Sequence, residues 1–266
     1  MTAVARSQAV LGFVGRATRR RLSFLLQVSA LLWGVVHEGA RPATWRRTLR
    51  AGFRASLTRL VAGSLGTILV TALVVGLGLV FEALYWLHTA GQEEQIGRIL
   101  VVVLLRELTP LLIGIILLGR GGTAIVAELG LMQTQGEVAM LQAEGLDIFQ
   151  FLVLPRAVAF AVGSFTLGIL FILLALLSGF VTGSALGAVS QSFFGFLDAV
   201  LRAMSVRDLI LLPAKLLLIG VTVALVCCAT GLGARDNEPP GLLLPRGFTR
   251  GITGVLLVSV LLSAIL

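Results

Sequence analysis

Arg106 and Glu107 stand side by side inside the apolar stretch 99–118, three residues ahead of Pro110. An ionisable side chain at bilayer depth is costly, so it faces a bundle interior or a wet cavity and marks a functional candidate. The chemistry such a pair offers is recognition. An amphiphile's headgroup needs polar partners at membrane depth, while its tails accept walls of Leu and Val. The competing reading is a pair that only knits helices together. Neighbouring helical positions do not face each other, so Arg106 and Glu107 need not bond one another. Both readings stay open.

Covalent and hydrolytic chemistry finds no support. The cluster Gly119-Arg120-Gly121-Gly122-Thr123 lacks the lysine and the preceding strand of a phosphate cradle. His37 and His88 are far apart and neither has a cluster of potential ligands around it. Cys227 and Cys228 are adjacent within an apolar run, which excludes a disulfide framework or a metal spacing and reads as packing. The chain is therefore read as non-enzymatic, with no cofactor and no metal. Active transport would need energy from a partner or an ion gradient.

The elements that must position Arg106 and Glu107 are membrane helices. Hydrophobic residues make up 57% of the 266 and charged residues 13%, about half the charged share of soluble domains. The net charge of +8 is uneven, with eleven arginines against one acid, Glu38, in the first 60 residues. Apolar neighbours argue against nucleic-acid binding, and the positive-inside bias keeps this end cytoplasmic. The stretch 22–36 is too short to span. Leu22, Leu25, Leu26, Leu32, Trp33 and Val36 share one helical face, which suits a basic amphipathic helix lying in the interface.

Five spans follow, at about 61–87, 99–118, 157–182, 209–229 and 251–266. Gly63, Ser64, Gly66, Gly76 and Gly78 enrich the first in small residues, and Gly179, Gly183 and Gly187 form a ridge on the third. Glu93 and Glu94 mark the 88–98 loop as outer. Lys215, the only lysine, is placed to snorkel from the start of the fourth span. The fold class is thus all-α: an interfacial helix and five transmembrane helices, N-terminus inside and C-terminus outside. Residues 1–60 form the basic N-terminal segment and 61–266 the five-helix membrane domain.

The loop 119–156 reads as ordered helix. Thr134-x-x-Glu137 looks like a capping box opening a short helix that Gly145 closes, and Asp147-x-x-Gln150 like a second box. Its acids, Glu128, Glu137, Glu144 and Asp147, suit either a solvated face or a docking surface for a basic cytoplasmic partner.

Four motifs then carry a resemblance. Leu105-Arg106-Glu107-Leu108-Thr109-Pro110, Gly119-Arg120-Gly121-Gly122-Thr123-Ala124, Ala127-Glu128-Leu129-Gly130-Leu131-Met132 and Leu154-Pro155-Arg156 resemble the MlaE (YrbE-type) permeases, as does the Thr249-Arg250 pair before the last span. The resemblance implies the membrane subunit of an ABC transporter, moving phospholipid between the bacterial inner membrane and a periplasmic MCE-domain protein. It implies a homodimer on a cytoplasmic ATPase that binds the ATP, with a small cytoplasmic regulator as a further candidate partner. It sets Glu107 near a lipid cavity and makes the inner loop the coupling region. The candidate site residues are then Arg106, Glu107 and Glu82 at the lipid cavity, and Arg120, Glu128, Glu137, Glu144 and Asp147 at the ATPase-coupling loop. Glu82 departs from the glutamine common in the family at that place, and the proline-rich 238–247 departs from its usual Ser/Gly-rich approach. An ion-coupled carrier titrating at Glu107 and a non-transporting scaffold are the alternatives. Five spans show no inverted repeat of the kind such carriers use.

Overall fold

In hydrocarbon no water satisfies a peptide group, so a spanning segment must close its hydrogen bonds within itself. The computed structural model describes residues 19, 26–39, 41, 47–89, 91, 96–185, 192–234 and 240–264. Among these the regular elements are all helical and no strand occurs. In chain order they are α1 (26–39), α2 (Arg47–Val75), α3 (Phe81–Thr89), α4 (Ile96–Leu100), α5 (Thr109–Leu117), α6 (Thr123–Thr134), α7 (Glu137–Ala143), α8 (Leu154–Ala185), α9 (Phe193–Ala203), α10 (Val206–Leu232) and α11 (Pro240–Ser263). Wider π-helical segments, Gly76–Val80, Val101–Leu108 and Leu118–Gly122, join α2 to α3, α4 to α5 and α5 to α6, and Phe149–Val153 leads into α8.

Five stretches are long and apolar enough to cross a membrane: Arg47–Ala83, Arg98–Thr134, Phe149–Ala185, Val206–Leu232 and Gly241–Ser263. The expected number of spans is met, but the helices are longer than expected. Three run 37 residues, well beyond the roughly 20 needed to span. α2 starts at Arg47 and passes unbroken through position 60. The second crossing helix continues through α6, so much of the expected 119–156 loop is an extension of that helix. The connection expected between the spans 209–229 and 251–266 is shorter too. α11 begins at Pro240, where a missing N–H is harmless, and Pro245 sits within that helix.

What remains of the loop is α7, set between two turns at Gly136 and Gly145, with φ of 77° and 80°. Gly145 closes α7 as expected: its N–H bonds to Gln142 O and the Leu146 N–H to Leu141 O, the paired pattern of a left-handed cap. The opening differs. Thr134 is still helical and its hydroxyl donates back to Leu131 O, so Gly136 is the N-cap of α7 and no side chain caps it. Asp147 Oδ1 accepts from the Phe149 N–H at 2.9 Å in place of the expected box with Gln150.

The bundle is centred on α8 and α10. α8 packs against α2 on one side and α10 on the other, and α10 also meets α6 and α11. The apolar windows of the α8 and α10 spans are 56% and 50% buried, against 28% for the first span and 22% for the last. Glycine sets how close these helices come, as is usual where packing has to drive association in lipid. Gly76 lies against the Ala175 carbonyl and Gly220 against the Phe160 carbonyl, approaches that leave no room for a Cβ. Gly179 of the ridge meets Val80, whereas Gly63, Gly66 and Gly78 face open space. Gly187, like Glu93, Glu94, residues 22–25 and 265–266, lies outside the described residues. α9 lays Phe196 and Val200 inward and Phe194 outward, with Phe180 meeting Phe193 edge to face and Phe196 at a tilt.

Candidate functional site

Proline shapes the membrane-depth site. Pro110 has no N–H for the carbonyl four residues back, which is that of Arg106. The α10 side chain Lys215 donates from Nζ to that oxygen at 2.6 Å. Lys215 also donates to Ser263 Oγ of α11 at 2.8 Å and lies 3.5 Å from Glu107 Oε2. Ser263 in turn donates to Glu107 Oε1 at 2.7 Å. Lys215 is 1% exposed, so it is a buried tie between three helices and does not snorkel.

Arg106 turns to a different partner. Its Nε lies 2.7 Å from Asp208 Oδ1, and Nη2 donates to Oδ2 at 2.8 Å. Asp208 is held ready by Ser205: the two close a capping box at the start of α10, and the Ser205 hydroxyl donates to Oδ2 at 2.8 Å. Arg106 and Glu107, adjacent in sequence, are thereby committed to separate partners. The four charges balance, as buried charges must to be tolerated. Of the four, Glu107 is the most exposed, at 44% of its side chain. Its carboxylate is an acceptor held in a fixed position at the edge of an apolar bundle. The π-helical turn Val101–Leu108 carries both residues, and such turns recur at functional sites. Glu82 is exposed on α3 and shares no bond with these side chains among the described residues.

A second polar cluster occupies the other end of the second crossing helix. Glu128 on α6 bonds Arg59 of α2 at 3.1 Å and Arg156 of α8 at 2.8 Å. Arg156 also donates to Leu152 O, and Arg120 donates from Nε to Gly63 O at 2.9 Å. Glu128 therefore joins three helices. Glu137, Glu144 and Asp147 are exposed around α7, beside Met140 at 65% and Leu146 at 39% exposure. The eight residues singled out from sequence thus divide into the Arg106–Glu107 site, the isolated Glu82, the arginine cluster with Arg120 and Glu128, and the acidic surface around α7.

Sequence reasoning missed Asp208, Lys215 and Ser263 on one side, and Arg59 and Arg156 as partners of Glu128 on the other. Two signals were readable: Ser205-x-x-Asp208 is a capping box, and Lys215 is a charge within an apolar run. Neither says which distant residue it meets.

Comparison with known proteins places this geometry in context. The family described as "Permease MlaE" matches residues 53–265. The Arabidopsis thaliana protein TRIGALACTOSYLDIACYLGLYCEROL 1, chloroplastic, is 27% identical over 205 residues, 77% of this chain and 55% of that protein. A probable ABC transporter permease protein of Synechocystis sp. is 30% identical over 169 residues, 64% of each chain. The Haemophilus influenzae intermembrane phospholipid transport system permease protein MlaE is 31% identical over 120 residues, 45% of this chain and 46% of that protein. The chain thus spans between about half and two thirds of the length of these relatives.

Proposed function

The chain belongs to the MlaE permease family, and from that premise we propose that it is the membrane subunit of an ABC transporter that moves phospholipid. The observation that carries the reading is the membrane-depth site. A half-exposed carboxylate, Glu107, is fixed by Lys215 and Ser263 beside the Arg106–Asp208 pair, among apolar helix walls. A headgroup can meet Glu107 and the accessible edge of Arg106 while its tails lie along Leu and Val.

Two copies of the chain form the working unit, which sits on a cytoplasmic ATPase and faces an MCE-domain protein outside the bacterial inner membrane. The arginine-rich N-terminal region favours a cytoplasmic N-terminus, and an odd number of spans then puts the C-terminus outside. On this topology α7 is cytoplasmic. Its exposed Glu137, Glu144, Asp147 and Met140 form the contact that receives the ATPase stroke. The chain has no nucleotide cradle of its own, which is consistent with ATP being bound by the partner.

Mass spectrometry of lipid retained by the detergent-purified assembly tests the reading, with wild type compared with Glu107→Ala at equal assembly. Phospholipid held by the wild type and depleted severalfold in the variant is the expected result. Equal lipid in both reduces Glu107 to a structural tie, and absence of both lipid and ATPase from the wild type overturns the transporter reading.

A further inference from the structure

The arginine cluster around Glu128 holds more positive charge than its internal pairing uses. Arg59, Arg120 and Arg156 line a small pocket of about 70 Å³ between α2, α6 and α8, and Glu128 is the only acid among its lining residues. The described bonds account for one of the Arg59 nitrogens, two of Arg156 and only Nε of Arg120. The Arg120 Nη groups and the second Nη of Arg59 make no hydrogen bond among the described residues. Three guanidinium groups around one carboxylate leave a local excess of two positive charges.

Ser64 on the same pocket wall points the same way. It is 0% exposed and its hydroxyl has no hydrogen-bond partner. Other helix hydroxyls mostly find a partner, Thr71, Thr166, Thr222 and Thr230 each donating to the carbonyl four residues back. Among the described residues only Ser259 of α11 is likewise buried without one. A buried, unused hydroxyl beside unused guanidinium donors fits an absent acceptor. Of the remaining lining, Leu60, Ala124, Ile125 and Phe160 are apolar, two residues are glycine, and Ser56 is polar.

We infer that this pocket binds a phosphate group, with Arg120 and Arg59 as charged donors and Ser64 as the neutral one. Arginine forks match phosphate oxygens, and such charge-assisted bonds are the stronger kind. The apolar wall favours a phosphate carried on a lipid headgroup over free phosphate. The site is separate from Glu107, lying at the other end of the second crossing helix and using other residues, and its binding does not depend on transport. Its occupant would brace α2, α6 and α8 where Glu128 already ties them.

Equilibrium binding to the purified full-length chain decides the matter, using dihexanoyl phosphatidic acid, dihexanoyl phosphatidylcholine and inorganic phosphate as probes. Phosphatidic acid is expected to bind more tightly than phosphatidylcholine. Arg120→Gln should weaken it at least about tenfold, the loss of one charge-assisted hydrogen bond. Ser64→Ala should weaken it about threefold or more with an unchanged melting temperature, because the hydroxyl has no internal partner to lose. That variant keeps the test valid if Arg120→Gln misfolds. Arg202→Gln, which alters an exposed arginine paired with Asp198, should bind as wild type does. Equal binding of inorganic phosphate would keep the phosphate site but assign it to the free ion. Binding that ignores both Arg120→Gln and Ser64→Ala would overturn the proposal. So would capture of an acidic protein segment by a photocrosslinker at Ser56 when neither phosphate probe binds.

Discussion

Asp208 and Glu107 are both carboxylates paired with a cation, yet losing each should cost very different amounts. The Asp208 side chain is 1% exposed, and it receives Arg106 and Ser205 together. Asp208→Asn leaves a half-buried guanidinium without its counter-ion and leaves one amide oxygen to serve both Arg106 and the α10 capping box. A loss of about 1–3 kcal/mol is expected. Glu107→Gln keeps an acceptor for Ser263 on a side chain 44% exposed to the surroundings, where an ion pair is worth about 0–1 kcal/mol. Thermal melts of the purified protein should therefore order the variants as wild type, then Glu107→Gln, with Asp208→Asn clearly lowest. Equal losses would mean that Asp208 is no more embedded than Glu107. Arg106 and Glu107 were legible as candidates because a charge in an apolar stretch is an anomaly visible in one dimension. Their partners were not. Asp208, Lys215 and Ser263 lie 102, 108 and 156 positions from the residues they bond. Spacing along a chain identifies neighbours on one helix and says nothing of a contact across the bundle.

At the scale of elements, helix type and number could be read because apolar runs of this length have few other ways to satisfy their backbone. Helix ends could not, since they depend on local geometry that residue type only suggests. Thr134 is placed correctly for a capping box, yet its helix has not ended there, and the turn falls to Gly136, which adopts positive φ without strain. The π-helical turns were also invisible, although Pro110 hints at one by withholding its N–H from the Arg106 carbonyl. The crossing of α8 and α10 tests this scale. A side chain at Gly220 would run into the Phe160 carbonyl and Ser164 hydroxyl, whereas Gly78 has nothing near it. Gly220→Val is expected to force the helices apart and cost about 1–3 kcal/mol, with loss of the folded peak in size-exclusion chromatography. Gly78→Val should leave that peak unchanged. If both variants behave alike, the close approach of α8 and α10 does not hold the bundle together.

The whole molecule is unevenly covered, and the uncovered part has a pattern. The last span buries only 22% of its apolar window. Thr249, Thr253, Leu256 and Val260 are exposed along α11, at alternating four- and three-residue steps. That stripe has the repeat of a helix seam. The two threonines do not spoil it, because Thr249 donates to Pro245 O and Thr253 to Arg250 O within the helix. Their outer surfaces are small and effectively apolar, which suits helix-to-helix contact better than long lipid-facing side chains do. α8 also has exposed apolar residues, among them Leu173, Leu177 and Val181, but these are bulky. If two copies of the chain meet through α11, a cysteine at Thr253 or Val260 should link them in native membranes under mild oxidation. A cysteine at Leu173 or Val181 should not. The buried native Cys227 and Cys228 are out of reach of such a bridge, so they need not be removed before the experiment. Dimer bands of equal strength from α8 and α11 cysteines would mean that collision in the membrane, not a shared seam, made them.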